Sequence, residues 1–252
     1  MDCKIMWQFT IFKAYEIDDL ANHSIPNTSI SPGLVSLGLG HKNIVKSNMS
    51  SNNHLIIIED DIEFNISIES SINKAISQLD ETKTRWDILF TDVTVPILND
   101  MLKLIQYKIN NKNEPILIDL SKFHFAGTTC VIINNNSIHK YYELLNIDEF
   151  FLHPIDLYIK KLVHEKKLKA FCTFPFVTSP SRHADKSSIQ PAEVRFQNLL
   201  WNEFRRTMCI QSDQKEIQSH INSNILNNLD DATFNVLQII GANFINSINL
   251  LK

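Results

Sequence analysis

The stretch His54–Phe64, HLIIIEDDIEF, decides how the chain is read. The aliphatic residues Leu55 to Ile58 run straight into Glu59, Asp60 and Asp61. A short apolar run with polar flanks has the pattern of a buried strand. In an open α/β sheet, ligands bind in the crevice outside the carboxyl ends of the strands. Carboxylates crowded there repel one another unless something positive binds. Mg²⁺ or Mn²⁺ is the usual partner, completing its shell with phosphate oxygens and water. An acidic turn after a buried strand accounts for the same residues without any ligand. A Walker B strand does not, because the chain has neither GxxxxGK[ST] nor GxGxxG. A receiver domain phosphorylated on Asp92 is also disfavoured. Asp61 and Asp92 lie too close for the βα spacing such a domain needs, judged against about 30 residues for a βαβ unit.

Working outward, Phe9–Ala14 (FTIFKA) reads as a short strand and residues 22–33 as a loop rich in Ser, Asn and Pro. Leu34–Asn48 reads as a helix, with Gly38 and Gly40 against it. Downstream, Ile66–Leu79 carries apolar residues at helical spacing. Trp86–Thr91, Pro115–Leu120, Thr128–Ile133 and Leu168–Thr173 read as strands. Ser137–Leu145 and Pro154–Glu165 read as helices, with Pro154 at a favoured first-turn position. Strands alternating with helices to about residue 175 predict a mostly parallel or mixed sheet covered on both faces. Beyond Gln190 the pattern changes. Residues 191–210, PAEVRFQNLLWNEFRRTMCI, form an amphipathic helix pattern opening at Pro191. Asp231–Lys252 places Phe234, Leu237, Ile240, Phe244, Ile248 and Leu251 on one stripe. Such a helix packs on its own domain or on a second copy, or lies in a membrane surface. The basic face that anionic lipid favours is missing here.

The totals narrow the classes. With 252 residues, 44% hydrophobic and 21% charged, the composition is that of a globular α/β protein with an ample core. A net charge of −4 leaves no basic excess for a phosphate backbone, so no nucleic acid is expected as a partner. The four cysteines, Cys3, Cys130, Cys172 and Cys209, form no CxxC pair and read as reduced core thiols of a cytoplasmic protein. The start, MDCKIM, has an acid at position two and is followed by no small-residue cleavage site, so no signal peptide is expected. No apolar run approaches the roughly 18 residues of a membrane span.

In order along the chain, several segments resemble glycosyltransferase family 25, the lipopolysaccharide and collagen galactosyl/glucosyltransferases of GT-A fold. FTIFKAYEIDD resembles the family's FxFxxA segment and acidic turn. GLVSLGLGHKNIVK resembles its G-x-x-(S/A)-H helix through His41, with Gly40 where Ser is usual. LIIIEDDIEF resembles the signature strand, RWDILFTDV the following strand, and AGTTCVIINNNSIHKYYELL the later G-T segment, with Cys130 in place of an aromatic. HPIDLYI resembles a P-x-D helix start, and DKSSIQ an S-x-I tail element at Ser188. The matches cover roughly residues 9–190. The family's opening F-V-I-N-L-x-R-x-x-x-R strand, which carries much of the uridine pocket, has no counterpart here.

The resemblance implies a GT-A-like, mostly parallel mixed sheet flanked by helices in a catalytic domain over residues 1–190; the helical pattern over 191–252 has no counterpart in the family and reads as a C-terminal extension. It implies transfer of galactose or glucose from a UDP-sugar to a glycan or glycolipid acceptor, as in lipopolysaccharide or surface-polysaccharide synthesis. Mn²⁺ or Mg²⁺ would be held by Glu59, Asp61 and His183. Asp60, His41, Arg182 and Ser188 would face the donor. Asp156 would act as the base, with Asp92 as the other candidate. The expected location is cytoplasmic, peripheral to the membrane or self-associated if the C-terminal helices dock there. The alternative is an inactive relative that keeps the scaffold for binding or assembly.

Overall fold

A computed structural model describes residues 10–13, 15–16, 20, 28–64, 68–111, 115–186 and 195–209, with isolated positions 215, 219 and 223. Its helices are α1 (Pro32–Ser47), α2 (Ile68–Glu81), α3 (Leu98–Asn111), α4 (Ile138–Leu145), α5 (Ile155–His164) and α6 (Arg195–Met208). Its strands are β1 (Leu55–Ile58), β2 (Ile62–Phe64), β3 (Ile88–Phe90), β4 (Ile116–Asp119), β5 (Cys130–Ile133), β6 (Ala170–Phe174) and β7 (Thr178–Pro180). The fold is mixed α/β, as the alternation predicts.

Five strands form one sheet in the order β1-β5-β3-β6-β4, and β2 pairs with β7 in a separate ribbon. The sheet is mixed, as expected, but its pairings are mostly antiparallel and not mostly parallel. Only β3 and β6 pair in parallel, while β1–β5, β3–β5 and β4–β6 are antiparallel. The reason is an insertion. β1 and β3 both run antiparallel to β5 and so point the same way, but β5 sits between them. Alternation along the chain cannot reveal a strand inserted from 40 or so residues downstream. The arrangement brings the carboxyl ends of β1 and β3 and the amino end of β5 to one edge of the sheet.

Period-2 alternation divides the strands between two cores. Ile88 and Phe90, Val131 and Ile133, and Ala170, Cys172 and Phe174 face the larger core, packed by α1, α3, α4 and α5 residues such as Val35, Leu104, Tyr141 and Tyr158. Leu89, Ile132 and Phe171 face the other side, covered by Ile72, Ala75 and Leu79 of α2. Phe204 and Met208 of α6, a helix beyond residue 190, belong to the larger core. The strand expected at Phe9–Ala14 does not form across Thr10–Lys13, which are exposed, Ile11 at 98%, and pair with no strand among the described residues. Phe9, Ala14, residues 191–194 and the helix expected at Asp231–Lys252 lie outside the described residues. Among those described, no helix is long and apolar enough to cross a membrane. Cys130 and Cys172 are buried free thiols, and Cys209 is buried.

Helix α1 runs unbroken through Gly38 and Gly40. Gly38 is there for space. A β-carbon would lie 2.9 Å from Cζ of Phe150, which is buried and boxed by Phe151 and Tyr158. Gly38→Ala gains about 1 kcal/mol of helix propensity but overpacks a buried ring, which costs about 1–3 kcal/mol. The expected outcome is a net loss of about 1 kcal/mol, read as a lower urea midpoint at unchanged slope.

Candidate functional site

The acid-rich edge is organised by three consecutive residues immediately before β5. Gly127 N donates to Asp156 Oδ2 at 3.0 Å, Thr128 Oγ1 to Glu59 Oε1 at 2.7 Å, and Thr129 Oγ1 to Asp92 Oδ1 at 2.9 Å. Each residue of the ladder holds an acid from a different element: the first turn of α5, the end of β1 and the end of β3. Gly127 adopts φ +88, a left-handed conformation that glycine enters without a side-chain penalty. The backbone continues the tie, with Glu59 N donating to Thr129 O at 2.9 Å.

Asp92 is fully buried, and all its acceptor positions are used. Oδ1 accepts from Thr129 and, at 2.7 Å, from Thr178 Oγ1. Oδ2 accepts from Arg205 Nε at 2.7 Å and from Arg205 Nη2. Nη2 also donates to Thr129 Oγ1 at 2.6 Å. Arg205 comes from α6 and is 5% exposed. Thr178 lies on β7, whose ribbon with β2 follows directly on the acidic turn. Asp61 O accepts from Ser181 N at 2.8 Å, tying that turn to the loop beyond β7.

Helix α6 is fixed independently of Arg205. Arg206 donates to Pro180 O, Ser181 O, Asp185 and Glu203, and is itself 5% exposed. Lys108 of α3 donates to Thr207 O and Cys209 O at the helix end. Burial pushes the Lys108 amine down to about 8.

The electrostatics follow from crowding. Burial raises Glu59 to about 7; Thr128 and Arg205 act against the rise, while Asp61 and Asp156 add to it. Asp61 is also raised, by burial and then by Asp60, against the pull of Arg205. Burial pushes the neighbouring Cys130 thiol up to about 12, which leaves it inert as a nucleophile at neutral pH.

The structure gathers Glu59, Asp61, Asp92 and Asp156 at one edge, with Asp60 exposed in the turn beside them. Asp156 is partly buried and its Oδ1 also accepts from Leu157 N at 2.8 Å. Arg182 pairs with Glu203 of α6. The His183 side chain is exposed, and only its backbone N is engaged, by Ser181 Oγ at 3.2 Å. His41 is elsewhere. It is 2% exposed in α1, neither ring nitrogen has a partner, and burial alone depresses it to about 4. Ser188 lies outside the described residues. Thr128, Thr129, Thr178 and Arg205 are the site residues that the sequence reading assigned no role.

The divalent ion implied by the resemblance can be tested on donor atoms. Asp61 Oδ1 is sealed from solvent without a partner, which suits an ion. The remaining donors do not follow. Asp92 is saturated by Arg205 and two threonines, Glu59 Oε1 is taken by Thr128, and His183 faces outward. Among the described residues no three His, Cys, Asp or Glu side chains are placed to hold a metal. As placed, these residues do not fit the ion. No protein-family model matches the chain, and comparison with curated proteins gives no match.

Proposed function

We propose that the chain is a hexosyltransferase of GT-A-like fold that moves a galactose or glucose unit from a UDP-sugar to a hydroxyl of a glycan or glycolipid acceptor. The Gly127–Thr129 ladder carries the reading. It joins the segments whose order resembles family 25, namely EDD, WDILFTD, AGTT and PID, at one sheet edge. A row of carboxyl groups held by fixed donors is suited to grip sugar hydroxyls, which both donate and accept.

In this reading the acceptor oxygen attacks the anomeric carbon as the bond to the UDP diphosphate breaks, and the electron pair leaves with the diphosphate. Asp156, oriented by Gly127 N and Leu157 N, takes the acceptor proton. Glu59, near half-protonated at neutral pH, donates to one sugar hydroxyl and accepts from another. Asp92 is buried behind Thr129 and Arg205, out of reach of substrate, and holds the ladder in place.

The test is calorimetric titration of UDP and of UDP-hexoses into the purified chain, repeated on Asp156→Asn and Glu59→Gln. Binding to the unaltered chain is expected, with UDP-hexose turnover lowered about 100-fold or more in Asp156→Asn, the range for removal of a general base. No binding of UDP or of any UDP-hexose would overturn the transferase reading and favour the scaffold alternative.

A further inference from the structure

We propose that Arg205 is the resident cation of the acid cluster, so that the chain neutralises its own carboxylates and leaves no place for a divalent ion. Geometry carries this. Arg205 approaches Asp92 through both Nε and Nη2 and bonds Thr129 with the latter, so it sits against the ladder and not merely near it. Its charge also acts on Glu59 and on Asp61, so one guanidinium serves three acids. The side chain is delivered by a helix that is itself locked. Arg206 anchors the adjacent position to Asp185, Glu203 and two backbone carbonyls, and Lys108 caps the helix end. A guanidinium with two bonds to one carboxylate oxygen fills the direction from which an ion would approach, and its positive charge at this range repels a second cation strongly in a partly dry site.

The reading is separable from transfer activity, because it is read with Mn²⁺ alone. The unaltered full chain should bind Mn²⁺ no tighter than millimolar by calorimetry and by loss of the free-ion paramagnetic signal. Arg205→Met, which uncovers Asp92 beside Glu59 and Asp61, should bind Mn²⁺ at least tenfold tighter and be stabilised by it in thermal melts. Arg205→Lys, which keeps the charge, should not gain affinity. Micromolar Mn²⁺ binding by the unaltered chain would overturn the inference even if Arg205→Met fails to fold. A folded Arg205→Met with no gain in Mn²⁺ affinity would overturn it as well.

Discussion

Asp92→Ala is expected to cost about 3–5 kcal/mol, the range for breaking a buried ion pair from one side. The cost falls on what is left behind. Arg205, 5% exposed, would keep its charge in the core with Thr129 Oγ1 as its one remaining partner from this set. Thr129 and Thr178 would lose their common acceptor. For a chain of this size the loss corresponds to a fall in Tm on the order of 10 °C. Two companions make the result diagnostic. Thr178→Val removes a hydrogen bond to the Asp92 carboxylate and the contact with Thr91 Oγ1, and should cost about 1.5–3 kcal/mol. Asp92→Leu combined with Arg205→Leu removes both charges and should cost much less than the sum of the single changes, since a buried pair replaced by apolar residues is often close to neutral. Urea unfolding of the unaltered chain, Asp92→Leu, Arg205→Leu and the double change measures the cycle. A single-site Asp92→Ala cost below about 1 kcal/mol would mean the pair is not held as described.

The parts of this arrangement differ in how far sequence could reveal them. β1 and its acids were legible because an aliphatic run and a charge cluster adjoin. The helices α1, α2, α4 and α5 were legible because apolar residues recur at helical spacing. Helix α3, absent from the elements expected from sequence, carries the same signal. Met101, Leu104 and Ile105 recur at helical spacing, and Leu104 and Ile105 are buried. β2 and β7 are three residues long, too short for any alternation to register. The insertion of β5 between β1 and β3 is a long-range pairing that local patterns do not encode. Arg205 was hidden for another reason. An adjacent pair of arginines on an amphipathic helix reads as a solvated face, and only the fold brings the first of them to an acid 113 positions earlier. The three-residue ladder lies within the AGTT segment, but its role depends on β5 running opposite to β1 and β3, so that its beginning meets their ends.

Two groups, the buried His41 and the half-buried Glu59, make opposite demands on pH, and their overlap conceals both. His41 titrates near 4 when folded against an ordinary 6.5, because burial disfavours the imidazolium. Between those values the unfolded chain binds the extra proton, so stability falls as pH drops from 6.5 to 4, by up to about 3 kcal/mol. Glu59 titrates near 7 when folded against an ordinary 4.5. There the folded chain binds the extra proton, so its contribution is full below 4.5 and is lost as pH rises through 7, again by up to about 3 kcal/mol. From about 4.5 to 6.5 the two slopes nearly cancel, so this pair contributes a flat profile to the unaltered chain. Single substitutions separate them. Glu59→Gln should gain stability relative to the unaltered chain as pH rises from 4.5 to 7.5. His41→Leu, which also removes two unpartnered ring nitrogens, should gain relative stability as pH falls from 6.5 to 4. Urea midpoints of the three proteins at half-unit pH steps measure the two differences. A pH-independent difference for Glu59→Gln would mean that the carboxyl is not buried against its neighbours at the ladder. A pH-independent difference for His41→Leu would mean that the imidazole reaches water. The Glu59 slope bears on function directly. Under the transferase proposal, Glu59 is kept at a cost in stability because it can both donate to and accept from a sugar hydroxyl, and Glu59→Gln should raise stability at neutral pH while weakening UDP-hexose binding.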